Sequence, residues 1–131
     1  MGLSYKGGAS HFHSLSENLD ALKDNYPYNK DNGYFGNKGQ SNDNHVRNIS
    51  SPDPLAESKK FYDIVAHGGI ESSNYSKDNK VTSAITRLAD GTVVTWRETS
   101  ASDGTPAVDV NIKRSTDNGG IKRQKIHFVK E

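Results

Sequence analysis

His127 sits among cations near the end of the chain, in Gly120-Ile121-Lys122-Arg123-Gln124-Lys125-Ile126-His127-Phe128-Val129. An imidazole titrates near neutrality, so it can take up or release a proton at physiological pH. Arg97, which closes an earlier run of alternating residues, can hold a phosphate through two parallel hydrogen bonds, and Lys125 adds a point charge. Metal-free cleavage of RNA needs such a set. A base takes the 2′-OH proton, an acid serves the leaving 5′-oxygen, and cations or amides stabilise the phosphorane. Ser102, Thr105 and the amides around Gly104 can cradle phosphate oxygens. Asp109 is a further supporting group, Arg87, Lys122 and Arg123 are positioned to meet an RNA backbone, and His67 is a second histidine in reserve. DNA lacks the 2′ nucleophile, so chemistry of this kind selects RNA.

Each of these residues also has a plainer reading. A histidine on a strand can be structural, Asp109 can pair with Lys122 or Arg123 across a hairpin, and His67 can complement a helix dipole. His11 and His13 are two apart, a poor spacing for ligands on a helix, and no carboxylate pattern accompanies them. No metal site and no cofactor site is therefore expected. The chain has no P-loop, dinucleotide-binding glycine turn, His-Glu-x-x-His or Gly-x-Ser-x-Gly pattern.

The elements that must position these side chains are legible in part. Leu15, Leu19 and Leu22 share one helical face, with Ser14 and Glu17 forming a capping box and Pro27 following the end near Asn25. A second helix is expected over 53–66, opened by Ser51-Pro52-Asp53-Pro54 and stopped by Gly68-Gly69. Four strands follow, over 80–88, 92–98, 107–113 and 120–129, with Ala89-Asp90-Gly91 as the first hairpin turn. Alternation turns Val108, Val110, Ile126 and Phe128 inward, and Arg97, Asp109, Lys125 and His127 onto one open face. Residues 26–51 carry turn signals without periodicity, so they read as a loop pinned to the core by Tyr26, Tyr28, Tyr34 and Phe35. Residues 70–79 read as another polar connection. The expected fold class is α+β, N-terminal helices packed on a four-stranded antiparallel β-sheet. It forms a single domain over 1–131, with helix plus long polar loop in 1–52 and a compact core in 53–131.

Composition sets the bounds. The chain has 131 residues, of which only 31% are hydrophobic, enough for one modest core. A net charge of +1 hides an asymmetry: residues 1–79 hold 8 Lys/Arg against 10 Asp/Glu, whereas residues 80–131 hold 9 against 6. Lys113, Arg114, Lys122, Arg123 and Lys125 flank one loop, and local clustering of this kind steers polyanions. The absence of cysteine excludes a disulfide framework and a thiolate zinc site. No apolar run approaches the ~20 residues of a membrane span, so no membrane anchor is expected.

The phrases Phe61-Tyr62-Asp63-Ile64-Val65-Ala66-His67-Gly68-Gly69, Ala89-Asp90-Gly91-Thr92-Val93-Val94, Ser102-Asp103-Gly104-Thr105-Pro106-Ala107-Val108-Asp109-Val110-Asn111-Ile112 and Gln124-Lys125-Ile126-His127-Phe128-Val129 occur in this order. Together they resemble the C-terminal toxin modules of bacterial polymorphic toxins of the contact-dependent inhibition, Rhs and LXG types. The order of elements is similar to the barnase–EndoU–colicin–RelE group of metal-independent RNases, although the two-histidine pattern of EndoU is not evident. The resemblance implies a ribonuclease acting on tRNA or another structured RNA, and a cognate immunity protein as partner. It also implies secretion within a larger effector and delivery into the target-cell cytoplasm; a monomer is expected. The alternatives are a non-catalytic RNA- or protein-binding module and a DNase toxin.

Overall fold

The structure is a computed structural model. It describes residues 13–39, 41–75, 81–101 and 103–131; Ser102, His11 and Lys80 lie outside the described residues. Helix α1 spans Leu15–Asn25 and α2 spans Pro54–Val65, each started by the local chemistry of its first turn. At α1, the Ser14 backbone N–H donates to Glu17 Oε2 at 2.7 Å. At α2, Pro54 occupies the first turn and Asp53 Oδ1 accepts from the Ala56 N–H at 3.2 Å.

The strands are β1 Tyr28–Asn29, β2 Tyr34–Phe35, β3 Asn37–Lys38, β4 Val46–Ser51, β5 Ile70–Tyr75, β6 Val81–Arg87, β7 Val93–Arg97, β8 Ala107–Asn111 and β9 Gln124–Lys130. Strands β1 and β2 form a small hairpin. The others form a seven-stranded sheet in the order β3-β4-β9-β8-β7-β6-β5. Neighbours are antiparallel except β4 and β9, which run parallel.

This corrects the expected architecture. The four-stranded antiparallel sheet is the β6–β9 portion of a larger mixed sheet, and sheet rather than helix dominates the chain. The physical reason lies in the strands added at its flanks, β3 and β4 on one side and β5 on the other. Arg47 in β4 is a cation on the core side. It is buried because its guanidinium donates to the carbonyls of Phe35, Gly36 and Asn44 at 3.1–3.2 Å. Strand β5, Ile70-Glu71-Ser72-Ser73-Asn74-Tyr75, is an edge strand, largely exposed, so its residues carry no apolar alternation.

Both helices pack on one face of the sheet. Leu15, Leu19 and Leu22 meet Phe61, Tyr62 and Val65, and these cover Val94, Trp96, Val108, Val110, Ile126 and Phe128. Phe61 is the hinge of an aromatic chain, 5.0 Å from Tyr26, 5.7 Å from Phe35 and 5.6 Å from Phe128 between ring centroids. These contacts tie the 26–35 segment to the core. Gln124 adds polar ties: its side chain accepts from the Phe35 N–H at 2.8 Å and donates to the Gly33 carbonyl at 3.1 Å. Helices and core thus occupy one face, and the other is left for the remaining side chains.

Candidate functional site

Register defines that other face row by row. One row runs Asn74, Ser83, Arg97, Ala107, His127, Asn48, Asn37 across the sheet. The next runs Ser72, Ile85, Thr95, Asp109, Lys125, Val46. A third, shorter row holds Ile70, Arg87, Val93 and Asn111. Arg97, Asp109, Lys125 and His127 therefore share one face. With Ala107 between them, Arg97 and His127 stand two strands apart, so their backbones are separated by about 10 Å.

The face is not open at His127, which retains only 4% of its surface. The loop between β7 and β8 folds over it. His127 Nδ1 lies 2.9 Å from Thr105 Oγ1 and 3.2 Å from Asp103 Oδ1. The same Asp103 oxygen accepts from Ser100 Oγ at 2.7 Å, Thr105 Oγ1 at 2.6 Å and the Thr105 N–H at 3.1 Å. This last bond closes an Asx turn, which Gly104 completes with a φ of +76°.

The network assigns the imidazole tautomer. Thr105 has one hydroxyl proton, and Asp103 takes it; the Thr105 oxygen is then an acceptor toward His127, so Nδ1 carries the ring proton. In the neutral ring, Nε2 holds the free lone pair. It makes no hydrogen bond among the described residues. His127 lines a cleft of about 410 Å³ together with Ser41, Val46, Asn48, Asp103, Thr105 and Val129.

Charge is tuned consistently with this assignment. Burial lowers the His127 pKa below its ordinary value and Lys125 pushes the same way, while Asp103 works against them. The ring is therefore neutral at neutral pH, the state a base requires. At Asp103 partial burial opposes ionisation, but the bonds from Thr105 and Ser100 prevail and hold the carboxyl at about 2.

Beside this cleft lies a smaller one of about 170 Å³, lined by Thr95, Arg97, Ala107, Asp109 and Lys125. Neither Arg97 nor Lys125 forms an ion pair among the described residues. Asp109 Oδ2 lies 3.7 Å from Arg123, while its Oδ1 is buried without a hydrogen-bond partner. Oδ2 ties Arg123 to the sheet, and Oδ1, although without a partner, has no exposed surface from which to exchange a proton with a substrate.

The other anticipated residues scatter. Arg87 is exposed at the end of β6, on the same face but in another row. The Lys122 ammonium lies 5.7 Å from the Tyr34 ring centroid, beside the early hairpin. His67 follows α2 in the helical layer, its ring 5.2 Å from that of His13, so it is not part of the His127 network.

Asp103, Ser100 and Asn48 belong to the site without having been singled out from the sequence. The Ser100–Pro106 stretch had one available signal: Asp-Gly-Thr is turn chemistry in a segment too long for a tight hairpin. Among the described residues no cluster of three or more metal-ligating side chains occurs. The arrangement can accept a proton at Nε2 of His127 and hold an anion at Arg97 and Lys125. Comparison of the chain with protein-family models, with curated proteins and with solved structures finds no match.

Proposed function

We propose that this protein is a metal-independent endoribonuclease that cleaves RNA by transesterification. The observation that carries this reading is the Asp103–Thr105 network on His127 Nδ1, which frees Nε2 as a base beside Arg97 and Lys125, cations that form no ion pair among the described residues. In the proposed step, Nε2 takes the 2′-OH proton and the 2′-oxygen attacks phosphorus. The bond to the 5′-oxygen breaks, leaving a 2′,3′-cyclic phosphate and a 5′-hydroxyl whose proton comes from water in the open cleft. Arg97 and Lys125 neutralise the phosphorane, the step at which added negative charge is greatest.

The sequence phrases ending in Gln124–Val129 support placing this activity in a delivered antibacterial toxin. On that reading the RNA is structured, tRNA foremost, and a cognate immunity protein covers the polar face in the producing cell. The test is incubation of the protein with total bacterial RNA in EDTA beside a His127→Ala variant of intact fold. Discrete fragments that disappear in the variant support the proposal. RNA left intact by the folded wild-type protein, but bound by it, favours a non-catalytic RNA-binding module.

A further inference from the structure

The cleft at His127 has two unlike sides. On one it adjoins the smaller cleft that holds Arg97 and Lys125. On the other it is lined by Asn48 and Val46 of β4, Val129 of β9 and Ser41. Strands β4 and β9 pair in parallel and in unbroken register, Val46 with Lys125 and Asn48 with His127, so these side chains share one face. No Lys or Arg among the described residues lines the cleft, whereas Asp103 places a carboxylate there. Asn48 is half-buried, and its carboxamide forms no hydrogen bond with another described residue. Gly39 keeps the space beside it open: a Cβ at this position would lie 3.1 Å from Val46 Cγ1 and 3.3 Å from Asn48 Oδ1. Its backbone is not left-handed, so the missing side chain serves room and not a turn.

We propose that Asn48 is a specificity residue that reads the nucleobase on the 5′ side of the cleaved bond, while Val46 and Val129 give the ring an apolar bed. This rests on the ribonuclease reading and extends it to the choice of cleavage site. The covalent order of a nucleotide carries the argument. The attacking hydroxyl is on C2′, whose neighbours C1′ and C3′ bear the base and the phosphate. A catalyst at that hydroxyl therefore needs a phosphate site to one side and a base site to the other. The sheet row has this order: Arg97, Ala107, His127, Asn48. Arg97 is two strand spacings from His127, and Asn48 is one spacing away on the opposite side, about 5 Å. Charge agrees with the assignment. Asp103 repels a phosphate from the Asn48 side and leaves a neutral base unopposed. A carboxamide holds an acceptor oxygen and a donor amine side by side, the complement of a base edge that offers a neighbouring donor and acceptor.

The test uses the full chain and its Asn48→Leu and Asn48→Asp variants, with thermal melting to establish that each folds. Binding is read by calorimetry on the four nucleoside 3′-monophosphates, which carry base, 2′-hydroxyl and phosphate but no bond to cleave. Cleavage is read on the sixteen dinucleoside monophosphates. The expected result is that wild type prefers one or two bases in both assays, on the 5′ side in the dinucleotides. Asn48→Leu keeps the branched shape without the polar atoms and should weaken the preferred ligand roughly 5- to 150-fold, the size of a paired base contact, bringing the four close together. Asn48→Asp has acceptors only, so its relative preference should move toward guanine, whose Watson–Crick edge offers two neighbouring donors. Equal affinity of wild type for all four nucleotides, or for none, overturns the proposal. So does a uniform loss across the four in Asn48→Leu, which marks a structural role, or a change confined to the 3′-side base. The binding arm does not depend on cleavage, so a protein that selects nucleotides through Asn48 but cuts nothing refutes only the ribonuclease reading.

Discussion

Thr105 Oγ1 stands 2.6 Å from Asp103 Oδ1 and 2.9 Å from His127 Nδ1, so the destination of one hydroxyl proton decides which imidazole nitrogen carries the ring proton. Thr105→Val removes both bonds while keeping the side-chain shape. Cleavage is expected to fall about 10- to 100-fold, the size of a lost hydrogen bond to a partly buried polar group. Thr105→Ser should restore most of it. The check is kcat for the two variants, with thermal melting to establish that both fold.

Two neighbours push the His127 pKa in opposite directions, and this gives paired predictions. Asp103 raises it, so Asp103→Asn should move the acidic limb of the pH–rate profile to lower pH while reducing kcat. Lys125 lowers it, so Lys125→Met should move that limb to higher pH and also raise KM through the lost cation. Profiles of kcat for both variants over pH 4–8 decide the matter. Limbs that shift in the same direction contradict the assignment of His127 as base.

Stability follows the same protonation. His127 has a folded pKa below its ordinary 6.5, so the unfolded chain binds the proton first. The contribution is complete above about pH 6.5 and is lost as pH falls through the folded value. Asp103, held at about 2 against an ordinary 3.8, adds a second loss at lower pH. Thermal melts from pH 8 to pH 4 should show the first decline in the wild type and a flatter course in His127→Gln.

Arg47 is predicted to be structural. Its guanidinium serves the carbonyls of Phe35, Gly36 and Asn44 from the core side of β4. Arg47→Met leaves these without their donor and should cost about 2–4 kcal/mol, read as a lower urea midpoint. A loss within 0.5 kcal/mol, the range of ordinary surface substitutions, contradicts this role.

The same residue explains where the sequence misleads about the fold. Apolar alternation reveals Val108, Val110, Ile126 and Phe128 because hydrophobic burial is a local pattern, and caps reveal both helices because Ser14, Glu17, Asp53 and Pro54 act within one turn. Strand β4 escapes notice because Arg47 is buried by bonds to residues outside the strand. Strand β5 escapes because Glu71, on its core side, accepts from the Tyr62 hydroxyl at 2.8 Å instead of being apolar. The common face of Arg97, Lys125 and His127 is legible from strand alternation. The covering of His127 by Asp103 is not, since a loop-to-strand contact leaves no periodic trace.

The proposed ribonuclease activity rests on Nε2 of His127 activating a 2′-hydroxyl without a metal. Its most direct test is mass spectrometry of the RNA ends formed in EDTA by wild type and His127→Ala. Wild type should give 2′,3′-cyclic phosphate and 5′-hydroxyl ends, with the rate lowered about 100- to 10,000-fold in the variant. Fragments bearing 5′-phosphates, or cyclic ends formed equally well by His127→Ala, would contradict it.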